Sequence, residues 1–343
     1  MVGLPIRSAG KGLPKLVRVS LGTAIGLGLM DGRIDAPPTT AYFMTYTQGK
    51  CSANCKFCPQ ARESRSRADM LSRVSWPAFP TERVLDKIHG PCERGEIKRV
   101  CIQALNYHEV ISHVETLIRA IKERTDMPIS VSCQPLVVEN VRRIAEAGAE
   151  RIGIPLDAAA QNLFEKIKGT CAGGPYNWQG QFELLEGAVS IFGKGMVSTH
   201  LIVGLGETEK EMVEVIQRCV DMGVFPALFA FTPVPGTGLE HESQPPIDRY
   251  RRVQVARSLI LHKTTTIKKM RFNEHETLVD FGVDKETLKE AVRSGEPFLT
   301  TGCPDCNRPY YNEKPSGPIY NFPRKLTREE LSEIKAQLGL NEA

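Results

Sequence analysis

Three cysteines fall within the octet Cys51-Ser52-Ala53-Asn54-Cys55-Lys56-Phe57-Cys58, and no other feature restricts the chain so strongly. Thiols this close on one stretch are spaced to bind a single inorganic group. The CxxxCxxC spacing lets one loop hold three corners of an iron–sulfur cluster while a fourth iron has no protein ligand. An iron left bare in this way is open to chelation by a small molecule. A structural zinc site would want a fourth Cys or His at a short offset, and the next cysteine is Cys92. The rest of the chain therefore reads as a frame for this loop.

Residues 39–47 (TTAYFMTYT) are aromatic and β-branched and predict a strand that ends at the cysteine loop. Beyond the loop, strands are expected over 99–105, 128–134, 151–156, 196–203 and 226–232, with a seventh over 268–272. Helices are expected between them, over 108–124, 139–147, 159–168, 179–192 and 207–222. Gly148 is placed to close the second of these. Such alternation predicts an α/β fold, a parallel sheet with right-handed crossovers closed into a (β/α) TIM-type barrel or a partial barrel. Chemistry in such folds gathers at the C-terminal ends of the strands. At 343 residues, one barrel accounts for most of the chain. Residues 1–38, with a helix over 16–30 and a Pro37-Pro38 stop, read as an N-terminal cap. Residues 39–275 read as the barrel and 276–343 as a C-terminal extension with a helix over 328–337.

A net charge of +4 with scattered basic residues argues against a nucleic-acid or membrane surface. No apolar run nears the ~18 residues of a spanning helix, and the N-terminus lacks the order of a signal peptide, so a cytoplasmic protein is expected. Ten cysteines in a chain of this size, two sets of them tightly clustered, point to metal rather than disulfides. Oxygen-labile clusters imply an anaerobic or strongly reducing setting. The second set is Cys303-Pro304-Asp305-Cys306, followed by Asn307-Arg308-Pro309-Tyr310-Tyr311-Asn312-Glu313. Two thiolates at a Pro-rich turn converge on a metal. Zinc is one reading, although a zinc ribbon needs a second pair. An auxiliary iron–sulfur cluster, with Cys303 and Cys306 joined by thiolates from the barrel, fits better.

With Phe57 directly before Cys58, the octet resembles the signature of the radical S-adenosylmethionine (SAM) superfamily. In that family the open iron binds the amino and carboxylate groups of SAM on a [4Fe–4S] cluster, and an injected electron cleaves SAM to a 5′-deoxyadenosyl radical. The run Leu201-Ile202-Val203-Gly204-Leu205-Gly206-Glu207-Thr208 reads as a strand, a glycine turn and an acidic first helical turn. It is similar to the fifth-strand motif of the biotin synthase and lipoyl synthase branch, which implies that Gly204, Gly206 and Glu207 line the adenine end of SAM. Phe231-Thr232-Pro233-Val234-Pro235-Gly236-Thr237-Gly238-Leu239 resembles that branch's sixth strand and loop. Gln103 and Asn106 occupy the slot of a Gly-Gly-Glu-like turn beside SAM's amino group. Asp157 falls at an acidic ribose contact, with an exposed helix N-cap as its alternative.

The same resemblance sets Cys101 at a biotin synthase cluster ligand and Arg271 at its arginine ligand. It also puts Ser130 and Ser198 where two further cysteines stand, so the biotin synthase [2Fe–2S] site is not intact. Cys101 therefore ranks first as a barrel ligand for a second [4Fe–4S] cluster, followed by Cys171, on a Gly-rich loop, and Cys133. The strand period of two turns Cys133 to the opposite face from Ser130. Cys92 and Cys219 read as structural thiols. The resemblance sets Pro155 and Phe229 at the positions that meet the ureido ring in biotin synthase, and Phe231 adds apolar surface. An aliphatic chain suits them better, at about 0.8 kcal/mol per buried CH₂.

Residues 1–50 lack cysteine, and the C-terminus lacks the Ser-rich pattern of single-protein lipoyl synthases. The resemblance therefore narrows to the two-protein lipoyl synthase. It implies sulfur insertion from the auxiliary cluster into an octanoyl or mercapto-octanoyl chain on a lipoyl-carrier protein. It also implies a sister radical SAM protein and a ferredoxin- or flavodoxin-like reductant, with neither nucleic acid nor membrane as partner. No catalytic residue beyond the cluster ligands is predicted. One alternative is a radical SAM enzyme of other chemistry (biotin synthase-like, methyltransferase or cofactor maturation) with zinc at the CxxC. The other is a noncatalytic electron-transfer or scaffold protein.

Overall fold

The computed structural model describes residues 12–340, so 1–11 of the expected N-terminal cap lie outside it. Within 16–30, where one helix was expected, Leu16–Val19 is a strand (β1) and Leu21–Gly26 a short helix (α1). The reason is local. Val17 and Val19 are β-branched and buried, and Ser20 caps α1 through the Thr23 amide. The N-terminal segment thus joins the main sheet rather than merely covering it.

The chain continues through β2 (Thr40–Thr45), a hairpin of β3 (Met70–Leu71) and β4 (Val74–Ser75), β5 (Ala78–Pro80) and α2 (Thr81–Glu93). There follow β6 (Arg99–Gln103), α3 (Val110–Lys122), β7 (Ile129–Ser132), α4 (Val138–Ala147), β8 (Arg151–Gly153), α5 (Gln161–Ile167) and α6 (Trp178–Phe192). The last stretch holds β9 (Val197–Val203), α7 (Glu209–Met222), β10 (Val224–Ala230), α8 (Ile247–Leu261), β11 (Arg271–Phe272), β12 (Leu278–Asp280), α9 (Lys285–Arg293) and α10 (Arg328–Gln337). Gly148 ends α4 at φ 110°, a left-handed cap that favours glycine.

Eight strands form one sheet in the order β5-β1-β2-β6-β7-β8-β9-β10. From β2 to β10 neighbours are parallel and follow chain order, as right-handed βαβ crossovers require. β1 pairs antiparallel with β2 and with β5. β5 and β10 each have one neighbour in the sheet, so the fold is an open, partial barrel. Register sets the interior in layers. Tyr42, Cys101 and Ser130 lie side by side, and two residues further up lie Met44, Gln103, Ser132, Gly153 and Ser198.

Two expectations need correction. Residues 268–272 do not make a seventh barrel strand. Ile267–Lys269 is a 3₁₀ turn, and β11 pairs antiparallel with β12 in a separate two-stranded sheet. Two lysines and an arginine in five residues leave nothing to bury on both faces of a parallel sheet. In addition α8 was not anticipated, because its buried face includes Arg251, Gln254 and Arg257 and so masks the apolar period.

The extension closes the open side. The Leu228 amide of β10 donates to Thr301 Oγ1 at 2.8 Å. The Thr39 amide, below β2, donates to Asn307 Oδ1 at 3.0 Å. Higher up, Thr232 donates to the Asn312 carbonyl and Ser72 to the Tyr311 carbonyl. Residues 301–312 thus bridge β10 to β2 and the β3–β4 hairpin, running from the Thr39 end of β2 to Thr232 beyond the C-terminal end of β10. Arg251 ties the following segment to α8 by donating to the Ile319 and Tyr320 carbonyls. Among the described residues no helix is long and apolar enough to cross a membrane.

Candidate active site

The loop after β2 places Cys51, Cys55 and Cys58 in the wall of a cavity of about 470 Å³ inside the partial barrel. Burial pushes all three thiols up, Cys58 to about 12. Backbone amides point at their sulfurs: Asn106 donates to Cys51 Sγ at 3.2 Å, and Gln60 and Ala61 donate to Cys58. Amides aimed at sulfur favour a metal-bound thiolate over a buried thiol. The loop is fixed from several sides. Asn54 donates to the Ala172 carbonyl, Lys56 to that of Ile167, and Lys50 Nζ to those of Pro59 and Ser66. Gly236 accepts from the Arg65 amide, and at φ 83° a Cβ there would lie 2.5 Å from Ser66 N. Gly236→Ala should therefore destabilise the protein by roughly 1–3 kcal/mol, visible as a lower thermal midpoint. An unchanged midpoint would show that the two loops do not press together.

Beside these thiols sits a buried ion pair. Lys168 Nζ lies 2.7 Å from Asp157 Oδ2, meets the Pro155 carbonyl, and faces the rings of Tyr176 and Phe164. The Lys168 side chain is wholly buried, and its charge acts against the upward push of burial at Cys55. Asp157 is not an exposed helix cap. Its backbone, at φ 69°, bridges to β9 through His200 and Ile202. Asn106 Nδ2 donates to Tyr176 Oη and to the Gln134 carbonyl. The sequence reading missed Lys168 and Tyr176. A lysine at the end of a helix and before Gly169 looks like an ordinary C-terminal cation.

Of the other expected SAM contacts, Asn106 lies at the cysteine loop but Gln103 does not. Its Nε2 donates to Cys101 Sγ at 3.0 Å, on the cavity floor. Gly204, Gly206 and Glu207 do not line the cavity, whereas Ile202 does. The Glu207 carboxylate is occupied by the Gly204 and Leu205 amides and by Arg249 at 2.7 Å, which makes it a brace for the turn.

Below the floor the second thiol set assembles. Ser130 Oγ is 3.1 Å from Cys303 Sγ, and Tyr42 Oη is 3.3 Å from Cys306 Sγ. Tyr42, Cys101 and Ser130 are in register on β2, β6 and β7, so Cys101 stands between the two thiols of the extension. Neighbouring strands lie about 4.8 Å apart, so the trio is spread over three strands. Burial raises the Cys101 thiol, and Cys303 and Cys306 add to the rise. Among the described residues, no three His, Cys, Asp or Glu side chains are gathered closely enough to hold one metal ion. Zinc draws its ligands to about 2.0–2.3 Å, whereas a cluster takes each thiolate at a different iron.

Two expected ligands, Cys171 and Cys133, are not with this trio, nor is the arginine that the resemblance sets at a ligand position. Cys171 is exposed, on a turn whose Ala172 and Gly173 carbonyls accept from Asn54 and Arg62 of the upper loop. Cys133 is buried above the Ser132 layer and raised to about 12 by burial alone. Arg271 pairs with Asp280 at 2.7 Å on the exposed β11–β12 hairpin. A different guanidinium lies near the trio: Arg308, stacked 4.0 Å over Phe229 and donating to the Thr301 carbonyl. Between the thiol sets the wall includes Met44, Pro155, Ile202, Phe229 and Phe231. His200 also faces this space. Burial, helped by the charges of Arg308 and Lys168, lowers it to about 3, so its imidazole is neutral near pH 7.

An open α/β barrel with a three-cysteine loop at one end of its cavity defines a class of cluster-bearing barrel enzymes. The family model described as the radical SAM superfamily matches residues 45–219, and the chain belongs to that superfamily. Its relatives place it in the biotin synthase-like branch. Biotin synthase of Aquifex aeolicus is 26% identical over 199 residues, 56% of this chain and 55% of that protein. Biotin synthase of a Hydrogenobaculum species is 27% identical over 271 residues, 76% of each chain. The chain thus spans little more than half the length of the Aquifex protein. In fold it is similar to the FeFe-hydrogenase maturase HydG of Carboxydothermus hydrogenoformans, with TM-score 0.51 and 20% identity over 65% of this chain and 52% of that one. It is also similar to methylornithine synthase (PylB), with TM-score 0.50 and 12% identity over 70% and 67%.

Proposed function

We propose that this radical SAM enzyme inserts sulfur into an octanoyl or mercapto-octanoyl chain attached to a lysine of a lipoyl-carrier protein. One observation above all supports the reading: Cys303 and Cys306 lie against Ser130 and Tyr42, the strand neighbours of Cys101, beneath a cavity that Cys51, Cys55 and Cys58 line from above. From Cys101 to Asn106, which touches Cys51, is five residues, no more than about 17 Å of extended chain. A substrate carbon in the cavity would therefore lie between the two sets.

The residues present fit both groups. Cys51, Cys55 and Cys58 would hold a [4Fe–4S] cluster with SAM, and Cys101, Cys303 and Cys306 an auxiliary cluster. The first supplies one-electron chemistry that activates an unreactive C–H bond, and the second supplies sulfur. The side chains of this protein do the rest. Lys168 and Asp157 offer one charge of each sign at the upper end, suited to the polar groups of SAM. Pro155, Phe229 and Phe231 hold an aliphatic chain in place and exclude water. The proposal carries with it a ferredoxin- or flavodoxin-like electron donor and a sister radical SAM protein.

The test is mass spectrometry of an octanoylated carrier peptide after incubation with anaerobically reconstituted protein, SAM and reductant. A gain of one or two sulfurs is expected. Turnover of SAM to deoxyadenosine with no gain on this peptide would remove the sulfur-insertion reading and leave a radical SAM enzyme of other chemistry.

A further inference from the structure

We propose that the cavity opens beside α1 onto a docking surface for an acidic protein domain bearing an acylated lysine, and that Arg33 and Arg73 hold that domain. The proposal rests on the function given above. Of the residues that line the cavity, Leu21 and Arg33 are the two in the exposed class, so they mark where it meets solvent. Leu21 opens α1 and is 38% exposed; Arg33 lies on the loop after that helix. Inward from this rim the wall is apolar, with Ile25, Ile34 and Pro38 from the N-terminal segment and Leu71 and Val74 from the β3–β4 hairpin. Such a throat admits an aliphatic chain and excludes a charged head.

The rim carries two arginines that no carboxylate of the wall answers, although Asp31 and Asp35 flank Arg33 on its own loop. Arg33 belongs to the loop after α1 and Arg73 to the turn between β3 and β4, and both line the cavity. Among the described residues, neither is hydrogen-bonded or ion-paired, whereas the nearby Arg67 is bound to Asp69. Asp157 is the one carboxylate among the lining residues, and Lys168 holds it. Asp35, two residues from Arg33, accepts from Tyr310 Oη. Met30, on the same loop as Arg33, is 39% exposed. Arginine flanking exposed apolar side chains is the composition of a protein interface. Unpaired rim charges act mainly on association and on its salt dependence. The partner that answers this chemistry is a domain whose surface is acidic around the lysine that carries the acyl chain.

The experiment measures binding of an octanoylated acidic carrier domain to the reconstituted full-length protein by calorimetry, at low and at high salt. Arg33→Glu with Arg73→Glu should weaken binding roughly tenfold at low salt, with a smaller difference at high salt. Lys285→Glu with Lys289→Glu on α9 makes the same change in net charge and should leave affinity within about twofold. A carrier domain with surface acids changed to lysine should bind the Arg33→Glu, Arg73→Glu protein better than the wild type. Equal affinity for wild type and the arginine variant would overturn the proposal, as would equal loss in the α9 variant. So would an equal loss with free octanoate, since the arginines would then be reading a small anion. Tight, salt-sensitive carrier binding with no sulfur on the peptide would sink the proposed function and leave the docking surface standing.

Discussion

Replacing Cys303 and Cys306 together with alanine should lower the iron of the reconstituted protein from about eight to about four per chain and abolish sulfur insertion. SAM cleavage should persist. The separation is expected because the two thiol sets share no residue and no supporting hydrogen bond. The upper loop is held by Asn106, Ala172, Ile167 and Gly236. The extension is anchored independently of its thiols, by Thr301 on β10, Asn307 on the Thr39 amide and the Arg251 contacts to residues 319 and 320. The variant should therefore fold with its upper site intact. The reciprocal change, Cys51→Ala, Cys55→Ala and Cys58→Ala, should keep about four irons and lose SAM cleavage altogether. Iron analysis and deoxyadenosine formation read both outcomes. Thiolation of the peptide by the Cys303→Ala, Cys306→Ala protein would show that the sulfur comes from elsewhere.

The largest loss of stability is expected from Lys168→Met. This change leaves the Asp157 carboxylate, 6% exposed, without its cation in a site that burial has already made costly for charge. Removing one partner of a buried pair costs about 3–5 kcal/mol, because the charge that remains has neither water nor counter-ion. Adding Asp157→Asn should recover most of that loss, since the uncompensated charge is then gone. Thermal unfolding of the two single variants, Lys168→Met and Asp157→Asn, and of the double variant measures the coupling directly. A single variant as stable as the wild type would mean that Asp157 finds another cation or solvent. Binding of SAM should weaken in the same variant, because the ammonium lies in the wall of the cavity that the upper thiols share.

The features that could be read from the chain alone are those written in short stretches. The three thiols of the octet sit within one loop, so their convergence needs no knowledge of the fold. The parallel strands from β2 to β10 were legible because each is an apolar run set off by an amphipathic helix, although β10 begins two residues earlier than the composition suggests. The strand at Leu16–Val19 was lost because four residues are too few to show a period, and α8 because arginines occupy its buried face. Arg271 was placed by position along the chain, but its charge-rich surroundings send it to an exposed hairpin. Cys133 and Cys171 were candidates because sequence distance does not report which end of a barrel a loop occupies. Both belong to the upper end, whereas Cys303 and Cys306 lie below, against Ser130 and Tyr42.

The amino-acid order by itself determined the α/β alternation, the cluster loop and the presence of a second thiol pair, because each is set by contacts among neighbours along the chain. The resemblance already ranks Cys101 first beside Cys303 and Cys306; only the tertiary structure decided that Cys171 and Cys133 stand apart from that pair, that Gln103 lies against Cys101, and that Lys168 lies at the upper loop. Those partners are brought together by strand register and by an extension that packs against strand residues 173 and 264 positions earlier in the chain. Such long-range pairings follow from burying the whole sheet at once, not from any local pattern.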